Sequence, residues 1–470
     1  MTDAARQTPF TIVYGPSAKQ ARSFHRFGLF ACMAILAMAP FPLGSARPAA
    51  WIAWAMVVGL VAVIYVGGRL LAGADLMVVP RRMRAVSLMF GLFCTALIVQ
   101  AVPLGTLFGG VSFVAPDGAV FTSDSLSLSP GATFLMLLRM ITFALFFLII
   151  AETSLDSRTP RTLLRWLLAI AVSYALVGLF FLRQGDTFIG MEKWAYAGSA
   201  TASFVNRNSF ATFLSFGLVL GVAQLCTELR DLSRERFVSP LRTLLRSRAA
   251  YVGTGLIIII AALIATQSRM GVLSGVVGMG VVLVATAVHQ RPTAGMAAVA
   301  AVVTALIVTL LVVGFGSGLM ERLGSLDTDA GGRAALYEQI VGMIASRPWT
   351  GFGGGSFELA FPLFHQLPVA PDVTWDKAHS TYLALWSEMG VVIGSLPLVI
   401  YGMLVLQAVR LLMARKGQGL VAVSALGCVA VAATHSLVDF SLEIQANTFV
   451  LLAVLALLPS TIIRYEGYRA

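Results

Sequence analysis

Twelve stretches of this chain are long, apolar and nearly uncharged: residues 27–43, 49–67, 85–105, 132–151, 163–182, 208–227, 250–267, 270–288, 294–316, 381–409, 420–436 and 446–463. A helix needs about 20 mostly apolar residues to cross a bilayer, with a range of roughly 17–25. The pattern therefore predicts an all-α polytopic membrane protein of about 12 transmembrane helices. Composition agrees. The 470 residues are 58% hydrophobic and 12% charged, against about 45–50% and about 25% in soluble domains. A soluble globular enzyme, a disordered chain and a disulfide scaffold are excluded. Cys32, Cys94, Cys226 and Cys428 each fall inside an apolar run, so they read as small buried hydrophobes. The first span shows no small-residue cleavage site and is expected to be retained.

The net charge of +11 does not call for a nucleic-acid partner. Lys and Arg collect in cytoplasmic loops of membrane proteins. With both tails (1–26 and 464–470) placed in the cytoplasm, 23 of the 33 basic residues fall inside and nine outside, with Arg139 left within a span. The membrane domain then covers 27–463. Its longest outer loop is 317–380, and a second outer loop is 106–131. The Arg-rich inner loop 228–249 suits contact with anionic membrane lipids.

The outside basic groups run against this bias and mark candidate chemistry. Arg207 lies in Asn206–Arg207–Asn208, and Arg269 in the tight turn Ser268–Arg269–Met270–Gly271. Arg333 and Arg347 bracket a predicted helix whose Leu336, Ile340, Met343 and Ile344 form one apolar stripe. This helix is capped near Thr328 or Asp329, ends at Arg347–Pro348 and is expected to lie flat on the membrane surface. Gly351–Phe352–Gly353–Gly354–Gly355 lacks the Lys and Ser/Thr of a P-loop and reads as a turn of close backbone approach. His379 opens the tenth span, with Tyr382 and Trp386 on the same helical face, and His435 closes the eleventh. His25 and His289 read as solvated flanks. There is no His-Glu-x-x-His zinc spacing and no serine nucleophile elbow.

In order along the chain, these pieces resemble the O-antigen ligase and polymerase family. Asn206–Arg207–Asn208–Ser209–Phe210–Ala211, Ser268–Arg269–Met270–Gly271, Gly332–Arg333, and Arg347–Pro348 followed by Gly351, Gly353, Gly355, Ser356 and Phe357 are similar to its motifs. So are Ala378–His379–Ser380–x–Tyr382–Leu383 with Glu388–x–Gly390, and His435–Ser436–x–x–Asp439–Phe440. Ala39–Pro40–Phe41–Pro42–Leu43–Gly44 resembles the start of members associated with exopolysaccharide synthesis. Ser380 stands where the family usually has Asn.

The resemblance implies a fold like the C-type membrane glycosyltransferases, with helices in a large periplasmic loop, in the bacterial inner membrane. It implies transfer of a glycan from undecaprenyl diphosphate to an acceptor hydroxyl at the periplasmic face, without metal or cofactor. The acceptor is lipid A-core for a ligase, another lipid-linked repeat for a polymerase, or a protein side chain. On this reading Arg207, Arg269 and Arg333 hold the diphosphate, whose charge suits guanidinium forks. His379 is the catalytic base. Asn206, Asn208, Arg347, Tyr382, Glu388 and His435 are secondary candidates, with Tyr382 lining the acceptor site and Glu388 bracing the bundle, paired with Arg139. The alternative is a transporter or flippase for a lipid-linked or small polar substrate, against which the near-absence of acidic residues in the spans argues.

Overall fold

The computed structural model describes residues 16–41, 43–74, 78–185, 187–188, 191–193, 195–233, 247–289, 329–372, 374–414 and 419–467. The expected span 294–316, together with the cap candidate Thr328, lies outside these residues. The described chain forms helices α1 (Pro16–Met38), α2 (Pro48–Leu71), α3 (Arg84–Ala101), α4 (Pro130–Thr153), α5 (Thr159–Arg183), α6 (Arg207–Ser233) and α7 (Arg248–Ala265). It continues with α8 (Arg269–His289), α9 (Asp329–Ser346), α10 (Thr381–Met389), α11 (Leu396–Met413), α12 (Gly419–His435), α13 (Gln445–Leu455) and α14 (Leu457–Gly467). Among the described residues, nine helical segments are long and apolar enough to cross a membrane, and α12 is a shorter apolar helix. The chain is an all-α polytopic membrane protein.

The helices alternate in direction and define two ends. At the upper end, Ala200 N donates to Ala265 O at 2.8 Å, and Gln100 Nε2 donates to Thr350 O at 2.7 Å. At the lower end, Val79 N donates to Glu152 Oε1 at 2.9 Å, and Arg165 meets Glu228 at 3.4 Å. Helix α6 and the α13–α14 segment run through the centre, 89% buried over their spans, whereas α2 is 22% buried and turns most of its apolar surface outward. Small residues let α6 come close to its neighbours. A Cβ on Gly217 would sit 2.4 Å from Ala171 Cβ on α5, and one on Gly271 would sit 2.3 Å from Ala211 Cβ. Such contacts matter in lipid, where helix association rests on packing and hydrogen bonds rather than on the hydrophobic effect. Cys32, Cys226 and Cys428 are buried and Cys94 half-buried, all as free thiols.

Above the bundle sits a second core. Leu336, Ile340 and Met343 of α9 are wholly buried there with Phe113, Phe352, Phe357, Phe361 and Phe364. The apolar stripe of α9 thus faces protein rather than a membrane surface, because aromatic residues far along the chain cover it. Phe113 comes from a hairpin of β1 (Val111–Val114) and β2 (Val120–Ser123), paired antiparallel with Val111 opposite Ser123.

The tenth expected span, 381–409, is interrupted. Helix α10 stops at Met389, Gly390 adopts φ 73°, and the membrane-crossing segment begins at Val391. The break is set by another strand of chain. Val391 N donates to Pro348 O at 2.7 Å, and a Cβ on Gly390 would lie 2.4 Å from Trp349 O. The Gly351–Gly355 turn is the facing half of this joint. Phe352 N donates to Ser387 O at 3.0 Å and Gly353 N to Glu388 O at 2.9 Å. The close approach expected of the glycine-rich turn is therefore to the chain's own backbone. Gly390→Ala is expected to destabilise the fold by about 1–3 kcal/mol, since it adds both a forbidden φ and a backbone clash. A thermal melt in detergent checks this, and an unchanged Tm would contradict it.

Candidate functional site

Two arginines open two adjacent helices. Asn206 caps α6: its Oδ1 accepts Asn208 N at 2.7 Å and its carbonyl accepts Phe210 N at 3.1 Å. Ser268 caps α8: its Oγ accepts Gly271 N at 3.2 Å and donates to Asn208 Oδ1 at 2.8 Å. The cap of α8 is thereby bonded to the first turn of α6. Arg207 and Arg269 occupy the first helical positions beside them. Free backbone N–H groups and the positive helix ends add to the guanidinium charge there, a setting for an anion. Arg207 is half-buried, its Nη1 donating to Ser199 Oγ at 3.3 Å and its guanidinium carbon 5.4 Å from the Tyr196 ring centre. Arg269 and Arg333 are exposed.

His379 stands at the start of α10 with φ 50°. Its ring meets Trp375 edge-on at 5.8 Å and Phe440 at 5.2 Å. Tyr337 Oη donates to its carbonyl at 2.8 Å. Ser380 Oγ donates to Ser436 O at 3.2 Å and Thr381 N to the same oxygen at 3.1 Å. Ser380 thus ties α10 to the end of α12. Burial holds the His379 imidazole below its ordinary pKa, with Arg333 adding to the effect and Asp439 opposing it. Burial pushes the Asp439 carboxyl up, against a hydrogen bond from Ser441 and the charges of His379 and Arg333. Asp439 and Arg333 also act on Tyr196, the ring beside Arg207. Arg207, Tyr196, Arg333, Asp439 and His379 therefore form one polar group at the upper end.

Other sequence candidates lie around this group rather than in it. His435 is 1% exposed and hydrogen-bonds Thr212 through Nδ1. Thr212 Oγ1 also reaches Asn208 O at 3.2 Å, so His435 links α12 to the capped start of α6 from below. Tyr382 Oη donates to Ala433 O at 3.0 Å, a tie between α10 and α12. Glu388 Oε1 accepts Phe357 N at 3.3 Å, and its carboxyl is pushed up to about 7 by burial and by Glu443. Arg347 Nε donates to Gly351 O at 3.0 Å, and its guanidinium lies 4.3 Å from the Phe113 ring centre. Arg347 and Glu388 both serve the joint between the second core and α10. His25 and His289 are half-buried rather than solvated.

Sequence reasoning missed four contributors. Tyr337 follows Arg333 at i+4, a spacing that puts both on one helix face. Gln100 holds the joint from α3, its side chain bonding Thr350 O, Glu388 O and Gly354 N. No local pattern announces it, because its partners are more than two hundred residues away. Tyr196 gives no signal beyond an aromatic in a polar stretch. Finally, Lys377 Nζ meets Glu443 Oε2 at 3.1 Å. Arg139, the one basic residue expected within a span, donates to Glu443 O at 2.6 Å and lies 4.0 Å over the Trp51 ring. Arg139 thus takes the Glu443 backbone, while Glu388 faces the second core.

Residues 254–397 match the model of the O-antigen ligase family. The match spans Ser268–Gly271, Arg333, the glycine-rich turn and His379, and it bears out the resemblance read from the motifs. Arg207 and His435 lie outside it. No curated protein sequence matches the chain.

Glu443→Gln is expected to lower stability by about 1–3 kcal/mol by leaving Lys377 unpaired in a mostly buried place. The double variant with Lys377→Met should recover part of the loss, because removing both partners is milder than removing one. Additive melts for the two changes would show that the pair is not coupled.

Proposed function

We propose that this chain transfers a glycan from undecaprenyl diphosphate to an acceptor hydroxyl at the periplasmic face of the bacterial inner membrane. Glycan transfer of the O-antigen ligase or polymerase type follows from the family match. The observation that carries the finer reading is the pair of joined helix starts that bear Arg207 and Arg269, with Arg207 in the same polar group as His379. Among the described residues the lower end carries most of the basic ones, among them Arg69, Arg81, Arg82, Arg84, Arg158, Arg161 and Arg165, which supports a cytoplasmic lower end.

In the proposed step the acceptor oxygen attacks the anomeric carbon of the donor sugar. The bond from that carbon to the diphosphate oxygen breaks, and the electron pair leaves with the diphosphate. Arg207, Arg269 and Arg333 stabilise the charge that develops there. His379 takes the hydroxyl proton. Its depressed pKa keeps it neutral at pH 7, the form a base needs. The tight turn before α10 and the Trp375 and Phe440 rings hold the imidazole in place. Lipid A-core, a second lipid-linked repeat and a protein side chain are the acceptors the family likeness supports, and the likeness of the first span favours an exopolysaccharide polymerase.

His379→Ala is expected to reduce turnover by about 10²–10⁴-fold at normal expression, and full activity would remove His379 from the mechanism. Arg207→Lys should weaken donor binding by about 10–100-fold, the worth of one charge-assisted hydrogen bond. The pH profile should be flat near neutrality and fall only below pH 6.5, as the depressed His379 is protonated. A midpoint above 6.5 would contradict the assignment. Surface glycans of a deletion strain separate the acceptors: polymer stranded on undecaprenyl diphosphate marks a ligase, and single repeats mark a polymerase. Labelled substrate entering vesicles without glycan transfer would instead mark a transporter.

A further inference from the structure

Tyr196 belongs to the polar group at the upper end and has no role in the steps above. It is 37% exposed. Its backbone lies at φ 57°, and Ser199 N donates to its carbonyl at 3.2 Å, so a tight turn holds the ring out instead of packing it into the core. Positive φ is uncommon for a bulky residue, and such outliers gather at ligand sites. The ring centre is 5.4 Å from the Arg207 guanidinium carbon. The charges of Asp439, Arg207 and Arg333 all act on its hydroxyl.

An aromatic face carries partial negative charge. The C–H groups on one side of a pyranose are polarised positively by the ring oxygens, so a sugar stacks on such a face while its hydroxyls bond to polar neighbours. A ring fixed one guanidinium away from the diphosphate position meets the sugar joined to that diphosphate. We infer that Tyr196 is the stacking platform for the first sugar of the donor, a subsite for carbohydrate distinct from the arginine site for phosphate. This inference rests on the assignment of Arg207 to the diphosphate.

The test compares two probes on the full chain in nanodiscs: undecaprenyl diphosphate, and the same lipid carrying one N-acetylglucosamine. In the wild type the sugar-bearing lipid should bind about tenfold more tightly. Tyr196→Ala should abolish that difference while leaving the bare lipid unchanged, and Tyr196→Phe, which keeps the ring, should retain most of it. Arg207→Ala should weaken both lipids alike. A Tyr196→Ala protein that loses both lipids equally while keeping its Tm would make Tyr196 a support for Arg207 and overturn the subsite. So would a wild type that binds both lipids equally. Failure of both lipids to bind the wild type would instead strike the diphosphate assignment itself. Tyr196→Leu, of similar bulk without the aromatic face, gives the same reading should the alanine variant not fold.

Discussion

A single close approach organises the upper end of this protein: α8 lies so near α6 that Gly271 has no room for a side chain beside Ala211. In lipid, two helices gain little by hiding apolar surface from each other, since the surrounding chains are equally apolar. Contact at this distance lets Ser268, the cap of α8, bond Asn208 in the first turn of α6, and the two arginine-bearing helix starts become one structure. Other elements are then fastened to the same place. Thr212 receives His435 from α12, and Asn447 Nδ2 donates to Ser209 O at 2.9 Å from α13. A wider α6–α8 spacing would part Ser268 from Asn208 and leave polar groups there without partners.

The second fixed point is the joint between Pro348–Gly355 and Ser387–Gly390. It stiffens the stretch of chain that carries His379, and it does so mainly through backbone hydrogen bonds. Glycines stand where side chains would collide, and Gln100 reaches up from the bundle to fill the remaining bonding positions. Arg207 and Arg269 are thus tied to the membrane bundle, whereas Arg333 and His379 are tied to the upper core. Lys377, Glu443 and Arg139 span the two bodies of structure. The placement of Arg207 and Arg269 relative to His379 depends on that bridge.

Much of this was legible along the chain. The apolar runs announced the helices because the bilayer demands a length and a composition that little else in a protein needs. The outside arginines stood out because topology disfavours them. Less legible were features set by partners remote in sequence. The stripe on α9 has the look of a surface-lying helix until Phe113, Phe352 and Phe361 cover it. The apolar run 381–409 reads as one span until the Pro348–Trp349 backbone presses against Gly390. Arg347 and Glu388 carry the same residue chemistry as the site residues, and only their contacts separate them from it.

What could be read from the amino-acid sequence alone was the solvent of this protein, the rough limits of most of its described membrane helices, and which charged residues were out of place. Those properties depend on local composition and on the short range of helical periodicity. Which misplaced charges share one site, and which merely brace it, was decided by the tertiary structure. Hydrogen bonds and close packing act between atoms a few ångströms apart, and the residues that meet here, such as Thr212 with His435 and Gln100 with Glu388, are separated by 223 and 288 positions along the chain.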